Sequence, residues 1–309
     1  MKVLFVSSSN SKANGISIIV KLQGESLQKA GIELDYFTIK GRGVSGYIAN
    51  VFALRKKLKI KKYDLIHAHY SLSGFCATLA GAKPLIVSLM GSDVLAKNKF
   101  SRYIEFCSKF YWDATIVKSR VMNEKIELTN LYVVPNGVDL SRFNPMDFNE
   151  VKTEIGLERN KKYVIFVSNP ERYEKNFLLA EKAVLALNDE SVELLPVYNS
   201  DHQDVVKYMY AADVLILTSF WEGSPNVIKE AMACNCPIVS VDVGDVKEVI
   251  DGVEGCYIVE RNAEDIAEKL KLVFEKNKRT NGREKLIKMG LDSESVAQKI
   301  ITIYNEVLA

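Results

Sequence analysis

Short apolar runs alternate along this chain with longer stretches in which apolar residues recur every three or four positions. The long stretches predict helices, and the short runs predict buried strands at 3–7, 33–39, 65–68, 85–89, 114–117, 163–167, 193–197, 214–217, 237–240 and 256–259. A strand followed by a helix, repeated in this way, is typical of an α/β protein with doubly wound parallel sheets. Such sheets bind ligands at the loops that follow the carboxyl ends of their strands.

The alternation pauses once, near the middle of the chain. Residues 144–160 are polar and lack a strong period, and the strand–helix pattern begins again after them. We therefore predict a linker there and two domains, 1–145 and 146–309. An amphipathic helix at about 293–308 ends the chain.

The composition narrows the class of protein. The formal net charge of +2 argues against a nucleic-acid partner, and no apolar run approaches the roughly 20 residues of a membrane span. Residues 1–7 are typical of a strand and not of a signal peptide. Five cysteines are scattered on apolar elements, which favours a reducing compartment. We expect a cytoplasmic protein.

The densest group of chemical signals lies at 218–244, directly after a predicted buried strand. Ser224 and Pro225 predict the start of a helix, with serine at the N-cap and proline at the first helical position. The next N–H groups, those of Asn226 and Val227, have no partner within such a helix. They form an anion site at the positive end of the helix dipole.

Two carboxylates flank this predicted anion site. Glu222 lies in the loop before the helix, beside Gly223, and Glu230 lies one turn after Asn226 on the same face. Helical side chains lean toward the N-terminus, so Glu230 points back toward the bound anion, about 6 Å along the axis. Carboxylates bind phosphate poorly but accept hydrogen bonds from sugar hydroxyls. The pattern predicts a nucleotide-sugar site, and the alternative is an ordinary strand–helix–strand unit with surface glutamates.

The same residues resemble a known signature. The donor-site motif of family 4 retaining glycosyltransferases of the GT-B fold is similar to Glu222-Gly-Ser-Pro-Asn-Val-Ile-Lys-Glu-Ala-Met-Ala followed by Pro-Ile-Val. The resemblance implies two Rossmann-like parallel-sheet domains facing a central cleft, with the C-terminal helix packing back on the first domain. It also implies that Glu222 orients the transferred sugar and that Glu230 binds the ribose.

Two loops of the first half extend this resemblance. The loop that ends at Gly15 matches one whose glycine lines the acceptor site, although a glycine there also suits a helix start. The segment around His67 and His69 resembles the family's Asp-Leu-Ile-His-Ala-His motif, which implies that His69 approaches the transferred sugar and phosphates. His67 is then a packed structural histidine. We expect the two rings on opposite faces of the sheet, where they cannot share a metal ion.

A third loop matches the family only in part. The family commonly has His-Gly-x-Asp, and this chain keeps Gly91 and Asp93 but has Met90 in place of the histidine. The resemblance assigns Asp93 to the acceptor side, whereas an aspartate after a glycine turn is also a common helix cap.

The loop at 168–176 carries the cations that a diphosphate needs. The family has Gly-Arg here, followed about six residues later by lysine; Lys175 keeps that spacing, but Asn169 replaces the arginine. Arg172 is the candidate substitute, because a guanidinium binds phosphate through two hydrogen bonds. The alternative for both cations is a solvated surface position.

The resemblance implies a retaining hexosyltransferase. It would move a sugar from a nucleotide-diphosphate sugar, most simply a UDP-sugar, to a saccharide or lipid-linked acceptor in bacterial glycan or cell-surface polysaccharide assembly. Neither a metal ion nor another cofactor is expected. The departures at Met90 and Asn169 favour a second reading, a catalytically weak nucleotide-sugar-binding module or partner subunit. A sugar-phosphate epimerase is a third, with His69 and Asp93 as the available titratable groups.

One feature lies outside this scheme. A run of lysine and arginine at 55–62 follows apolar positions from Tyr47 onward. A basic amphipathic helix at 47–62 can lie on an anionic membrane surface, so the protein could bind the inner face of the membrane peripherally. The alternative is an exposed helix of the first domain.

Overall fold

The computed structural model describes residues 1–8, 15–41, 43–95, 100–143, 146–200 and 202–309. Its contacts divide the chain into two compact units. The first combines Met1–Gly137 with Ser293–Ala309, and the second is Val138–Asp292.

The first unit is built on a six-stranded parallel sheet. Its strands are β1 (Lys2–Ser8), β2 (Glu33–Ile39), β3 (Leu65–His69), β4 (Leu85–Ser88), β5 (Ala114–Val117) and β6 (Leu131–Val133). They lie side by side in the order β2-β1-β3-β4-β5-β6. The central strands β3, β4 and β5 are buried along their whole length, as a parallel sheet covered on both faces requires.

Helices cover both faces of this sheet. They are α1 (Ile18–Lys29), α2 (Gly43–Ile60), α3 (Ser71–Ala80), α4 (Ser92–Leu95), α5 (Ser101–Phe110) and α6 (Arg120–Asn123). Leu54 of α2, Ala77 of α3 and Ile104 of α5 share one hydrophobic core. Val20 and Leu27 of α1 belong to the core on the other face.

The second unit repeats the architecture with a five-stranded parallel sheet. Its strands are β7 (Lys162–Phe166), β8 (Val192–Pro196), β9 (Val214–Leu217), β10 (Ile238–Val241) and β11 (Cys256–Val259). Their spatial order is β11-β10-β9-β7-β8. The predicted fold class, with Rossmann-like parallel sheets in two domains, is confirmed.

The helices of the second unit include one that the sequence pattern does not predict. They are α7 (Phe148–Glu154), α8 (Phe177–Leu185), α9 (His202–Ala211), α10 (Asn226–Ala233), α11 (Val246–Ile250), α12 (Ala263–Lys276) and α13 (Gly282–Lys288). Helix α7 lies within the polar stretch where we place the linker. Asp147 caps it by accepting hydrogen bonds from the amides of Asn149 and Glu150, and Val151 packs into the core of this unit.

The last helix, α14 (Ser293–Leu308), returns to the first unit. Ile300 and Tyr304 of α14 lie in the same core as Val20 and Leu27 of α1. The Tyr304 hydroxyl is 2.6 Å from Nδ1 of His67 on β3, so the helix is anchored by a buried polar contact as well as by apolar packing. The prediction that the C-terminal helix packs back on the first domain is confirmed.

Each sheet has one point at which the chain reverses its direction across the sheet. In the first unit β1 lies between β2 and β3, and in the second unit β7 lies between β8 and β9. At such a point the loops after two adjacent strands, β1 and β3 or β7 and β9, turn to opposite faces of the sheet. They leave a crevice between them, where open α/β sheets bind ligands. In the second unit a ligand site is therefore expected at the loops after β7 and β9.

Candidate functional site

The loops after β7 and β9 bring Lys175 and Glu222 together. Nζ of Lys175 donates to Oε1 of Glu222 at 2.5 Å, although the residues are 47 positions apart in the sequence. The hydroxyl of Ser219 donates to the same carboxylate oxygen at 2.7 Å. Both charged side chains are partly buried, which strengthens their attraction relative to a surface pair. A cation and a carboxylate thus meet at the reversal point of the second sheet.

Backbone contacts hold the two loops against each other. The hydroxyl of Thr218 donates to the carbonyl oxygens of both Lys175 and Asn176 at 3.0 Å. The amide of Phe220 donates to the carbonyl of Glu174 at 2.9 Å. Lys175 ends a short 3₁₀ turn, Tyr173–Lys175, so its backbone position is fixed before its side chain is considered.

The helix after Glu222 begins one residue later than the sequence predicts. Pro225 is the N-cap residue, with φ −69° and ψ 119°, and α10 runs over Asn226–Ala233. The predicted serine cap is therefore wrong: the Ser224 hydroxyl accepts a hydrogen bond from Nζ of Lys229 at 2.9 Å. Asn226 and Val227 still lie in the first turn of α10, at the positive end of the helix dipole.

Lys229 belongs to the supporting structure of this loop, and the sequence reading missed it. Its side chain is buried, and burial lowers its pKa to about 8 against the opposing charges of Asp245 and Glu230. Burial likewise raises the pKa of Asp245, an effect that Lys229 and Ser224 oppose. The available signal was spacing, because Lys229 lies three residues before buried Met232 and so on the inner face of α10.

Gly244, after β10, supports the Glu222 loop from the other side. Its φ is +61°, and a Cβ atom there would lie 2.7 Å from the carbonyl oxygen of Gly223 and 3.0 Å from that of Glu222. The backbone of the Glu222 loop therefore rests directly on this glycine. Only a residue without a side chain permits both the left-handed conformation and the close approach.

We predict that Gly244→Ala displaces the Glu222 loop and weakens binding of a donor nucleotide about tenfold or more, since the contacted atoms are backbone. Gly252→Ala is the matched control: its φ is +71°, and nothing lies within 4 Å of the added Cβ. That variant should lose about 1–2 kcal/mol of stability through backbone strain alone and keep its nucleotide affinity. Calorimetric titration with UDP measures both, and equal affinities in the two variants would contradict the supporting role of Gly244.

Arg172 and Tyr173 lie on the exposed side of the loop that carries Lys175. The Arg172 guanidinium is exposed and pairs with the carboxylate of Glu174. Tyr173 is also exposed, and its ring lies 5.0 Å from that of Phe220, which in turn is 6.2 Å from the ring of Trp221. These three aromatic rings form a chain of contacts between the Lys175 loop and the Glu222 loop. The sequence reading named only Arg172 among them.

The two histidines of β3 share one face, contrary to expectation. Their rings stack with centroids 4.4 Å apart, because residues two apart on a strand point to the same side. His67 is a structural histidine, as predicted: Nδ1 contacts the Tyr304 hydroxyl and Nε2 lies 2.8 Å from the Ser88 hydroxyl. Burial and the charge of Lys118 lower its pKa to about 3.

His69 lies at the carboxyl end of β3 and is also buried. Neither ring nitrogen hydrogen-bonds to any residue in the part of the chain that the structure describes. Burial, the neighbouring His67 and the charge of Lys118 hold its pKa well below 6.5. His69 is therefore neutral near pH 7, so it can act on a ligand through hydrogen bonds and not as a cation.

Asp93 holds together the loop that follows β4, and Gly15 lies shortly before helix α1. The buried Asp93 carboxylate accepts hydrogen bonds from the amides of Met90, Gly91 and Ser71, at 2.9, 3.0 and 3.0 Å. Burial raises its pKa to about 6 in spite of these bonds. Asp93 is fully buried, and its contacts fix the loop that follows β4. Gly15 has φ +76°, and residues 9–14 of its loop lie outside the described residues.

Two further properties bear on the kind of site. Among the described residues, no three His, Cys, Asp or Glu side chains come together in a way that could hold a metal ion. Within the same residues, no helix combines the length and apolar character that crossing a membrane requires.

The sequence matches two family models that together span most of it. Residues 32–142 match Glycosyltransferase Family 4, and residues 150–276 match Glycosyl transferases group 1. A glycosyltransferase of Methanocaldococcus jannaschii, uncharacterized in its activity, is 30% identical over 252 residues, which cover 75% of this chain and 71% of that protein.

Two bacterial proteins are similar over comparable lengths. TuaC of Bacillus subtilis, named as a teichuronic acid biosynthesis glycosyltransferase, is 28% identical over 237 residues, 66% of this chain and 60% of its own length. UDP-Gal:alpha-D-GlcNAc-diphosphoundecaprenol alpha-1,3-galactosyltransferase of Escherichia coli is 25% identical over 263 residues, 69% of this chain and 66% of its own. The matched region thus spans 60% to 66% of the length of these two relatives.

Solved structures share the fold. Sucrose-phosphate synthase of Thermosynechococcus elongatus has a TM-score of 0.79 at 18% identity, with 99% of this chain and 98% of that one covered. HepE of Anabaena, in complex with UDP, has a TM-score of 0.74 at 17% identity, with 99% and 100% covered. With the family matches, these likenesses show that the chain belongs to glycosyltransferase family 4 and has the GT-B fold.

Proposed function

We propose that the protein is a retaining, metal-independent hexosyltransferase that takes its sugar from a UDP-sugar. Its acceptor is a saccharide or a lipid-linked glycan in bacterial cell-surface polysaccharide assembly. The observation that carries this proposal is the Lys175–Glu222 pair at the reversal point of the second sheet, beside the N-terminus of α10. The names of the Bacillus and Escherichia relatives support the acceptor class, and the UDP complex of HepE supports the donor.

The second unit supplies groups for a diphosphate. Nζ of Lys175 provides a fixed positive charge, and the first-turn amides of Asn226 and Val227 provide oriented N–H donors. Negative charge grows on the diphosphate as the bond to the sugar breaks, so groups positioned before the reaction stabilise the transition state. These groups can do so without a divalent cation.

Glu222 changes partner when a donor binds. Its Oε1 accepts from both Lys175 and Ser219 in the structure described here. A diphosphate at Lys175 competes for the ammonium group and releases part of the carboxylate to accept hydrogen bonds from sugar hydroxyls. One ion pair thereby keeps the charge at the site balanced until the substrate arrives.

We assign no protein nucleophile. The bond between the sugar C1 and the diphosphate oxygen breaks, and the acceptor oxygen bonds to C1 on the same face. The acceptor proton passes to the departing phosphate, so the atoms balance without a protein base. His69, neutral at the carboxyl end of β3, remains the candidate for hydrogen bonding to the donor, and the acceptor lies on the side of the first unit. We place the protein in the cytoplasm, on the inner face of the membrane.

A second function, a nucleotide-sugar-binding module or partner subunit, is favoured by one observation. Asn169 replaces the family's arginine, and Arg172 is paired with Glu174 in place of pointing to a free anion. The diphosphate then has one lysine where family members have two cations. Such a module would bind the donor but would neither hydrolyse nor transfer it.

A thermal-shift screen of UDP-, GDP- and ADP-sugars tests the proposal. A donor at about 100 times its Kd is expected to stabilise the protein by about 2.7 kcal/mol. We expect UDP and UDP-sugars to raise the Tm and GDP- and ADP-sugars to leave it unchanged. Stabilisation without hydrolysis across a panel of acceptors would favour the binding module. No shift with any nucleotide would overturn both functions.

A further inference from the structure

Helix α2 presents a mixed apolar and basic surface. Phe52 and Ile60 are 73% and 75% exposed, and Ile48 is exposed as well. The helix contains Arg55, Lys56, Lys57 and Lys59 and no carboxylate. Two nearby cations are engaged inside the fold, because Lys57 donates to the carbonyl of Tyr36 and Lys61 pairs with Asp35. Lys56 and Lys59 are exposed beside Phe52 and Ile60.

Helix α5 presents a second surface of the same kind. Ile104 and Ser108 face the core, whereas Tyr103 and Phe110 are 63% and 59% exposed and Phe106 and Tyr111 are exposed with them. Isolated exposed apolar residues are common, but here four aromatic side chains are exposed within nine residues, and the ring of Phe106 lies 5.0 Å from that of Phe110 and 5.8 Å from that of Tyr111. Arg102 and Lys109 flank the patch, and Nζ of Lys109 lies 5.5 Å from the ring centre of Phe110.

An apolar cavity of about 570 Å³ joins the two helices. Tyr47 and Val51 of α2, Phe75 and Leu79 of α3, and Tyr103 and Phe106 of α5 are among its lining residues. The Arg55 guanidinium donates to the carbonyl of Leu79 at 2.5 Å, so a cation stands at the rim of the cavity. Helix α3 carries no charged residue.

We propose that the surface formed by α2, α3 and α5 is a docking site for an anionic bilayer and that the cavity receives one lipid acyl chain. Exposed aromatic rings suit the boundary between headgroups and acyl chains, and the cations of α2 lie where phosphate groups would meet them. A protein partner with an acidic surface would not need an open apolar cavity of this size. The positive charge of α2 and the apolar cavity together favour an anionic bilayer over an acidic protein partner.

This surface extends the predicted helix at 47–62, on which the buried residues Tyr47, Val51 and Leu54 face the core. The exposed aromatic residues of α5 add to this surface and lie outside the stretch in which the basic helix was predicted. The inference deepens the proposed function, because a chain docked on the bilayer meets lipid-linked acceptors there. Binding to vesicles requires neither donor nor acceptor, so it can be tested independently of transfer.

Flotation with vesicles of phosphatidylcholine alone, or mixed with phosphatidylglycerol, tests the proposal. We expect co-flotation with the mixed vesicles that falls as salt rises. Lys56→Ala/Lys59→Ala should lower the partition coefficient about 30-fold at low salt, the effect of removing two surface cations near anionic lipid. Phe106→Ser/Phe110→Ser should lower it about tenfold or more at all salt concentrations, since insertion and not charge is lost.

Matched controls lie on the exposed surface of α8 in the second unit. Lys182→Ala and Leu178→Ser/Leu185→Ser remove a cation or apolar groups of similar exposure and should leave flotation unchanged. The Tm and the UDP-induced shift of every variant show that it is folded. Flotation that is absent, or unchanged in both surface variants, would overturn the inference even where UDP still binds. Concentration-dependent dimers lost on Phe106→Ser/Phe110→Ser, without flotation, would assign the surface to a second copy instead.

Discussion

Replacing Lys175 with alanine is expected to slow sugar transfer by about 100- to 1000-fold, the usual cost of removing one group that stabilises developing negative charge. Lys175 lies at the reversal point of the second sheet, and its Nζ donates to the Glu222 carboxylate. The family's arginine is absent at Asn169, so no second cation in that position compensates. Single-turnover transfer from a UDP-sugar, with donor saturating, measures the effect.

Two comparisons separate the catalytic effect from a loss of structure. Lys182→Ala removes an exposed lysine of α8 and should transfer at the wild-type rate. Lys175→Ala leaves the partly buried Glu222 without its cation, which destabilises the fold, and Lys175→Ala/Glu222→Gln should recover part of that stability without recovering transfer. A single variant that transfers within threefold of wild type would show that Lys175 only pairs with Glu222.

The sequence predicted the architecture because its signals are local. Strands β3, β4, β5, β9 and β10 are buried along their whole length, and all of them except β3, which contains two histidines, are largely apolar in sequence. Helix α7 was not predicted because only two of its residues, Val151 and Lys152, are buried. Of these, Lys152 is a cation, and its Nζ pairs with the Asp213 carboxylate at 3.1 Å. A helix held by one apolar contact and a buried ion pair has no hydrophobic period to read.

The contacts within the candidate site could not be predicted from the sequence. Glu222 and Lys175 were both named, yet their pairing depends on β7 and β9 being neighbours, which the order of strands along the chain does not show. The same holds for Gly244 and for Lys229, which support the Glu222 loop from β10 and from inside α10. Such contacts follow from tertiary packing, and composition or spacing does not specify them.

The error about the two histidines has a simple physical origin. Side chains alternate along a strand, so His67 and His69, two residues apart, share a face and stack. Their proximity has an electrostatic consequence, because burial and the neighbouring His67 make protonation of His69 less favourable and lower its pKa. Any contact of His69 with a donor is therefore made by a neutral ring.

Glu230 and Glu222 are expected to fail in different ways when replaced. Glu230→Ala should weaken UDP and a UDP-sugar equally, about 10- to 100-fold, because a hydrogen bond to a charged group contributes about 1.5–3 kcal/mol and the ribose is common to both ligands. Glu222→Ala should leave the Kd of UDP within a few-fold of wild type and lower the transfer rate at saturating donor by about 100-fold, since the proposed function places Glu222 at the transferred sugar and not at the nucleotide. Calorimetry with both ligands and single-turnover transfer measure the two quantities separately.

Glu248→Ala removes an exposed carboxylate on α11 of the same unit, so it controls for the change in net charge and should alter neither quantity.

The comparison of the two glutamate variants also tests whether Glu222 exchanges Lys175 for a sugar hydroxyl when the donor binds. If a bound diphosphate draws Lys175 away from this carboxylate, then Glu222→Ala frees the ammonium group beforehand and UDP should bind slightly more tightly than in the wild type. Loss of UDP affinity in Glu222→Ala, or wild-type transfer in both glutamate variants, would contradict the assignment, because the pair would then hold the loop in place and take no part in binding the sugar.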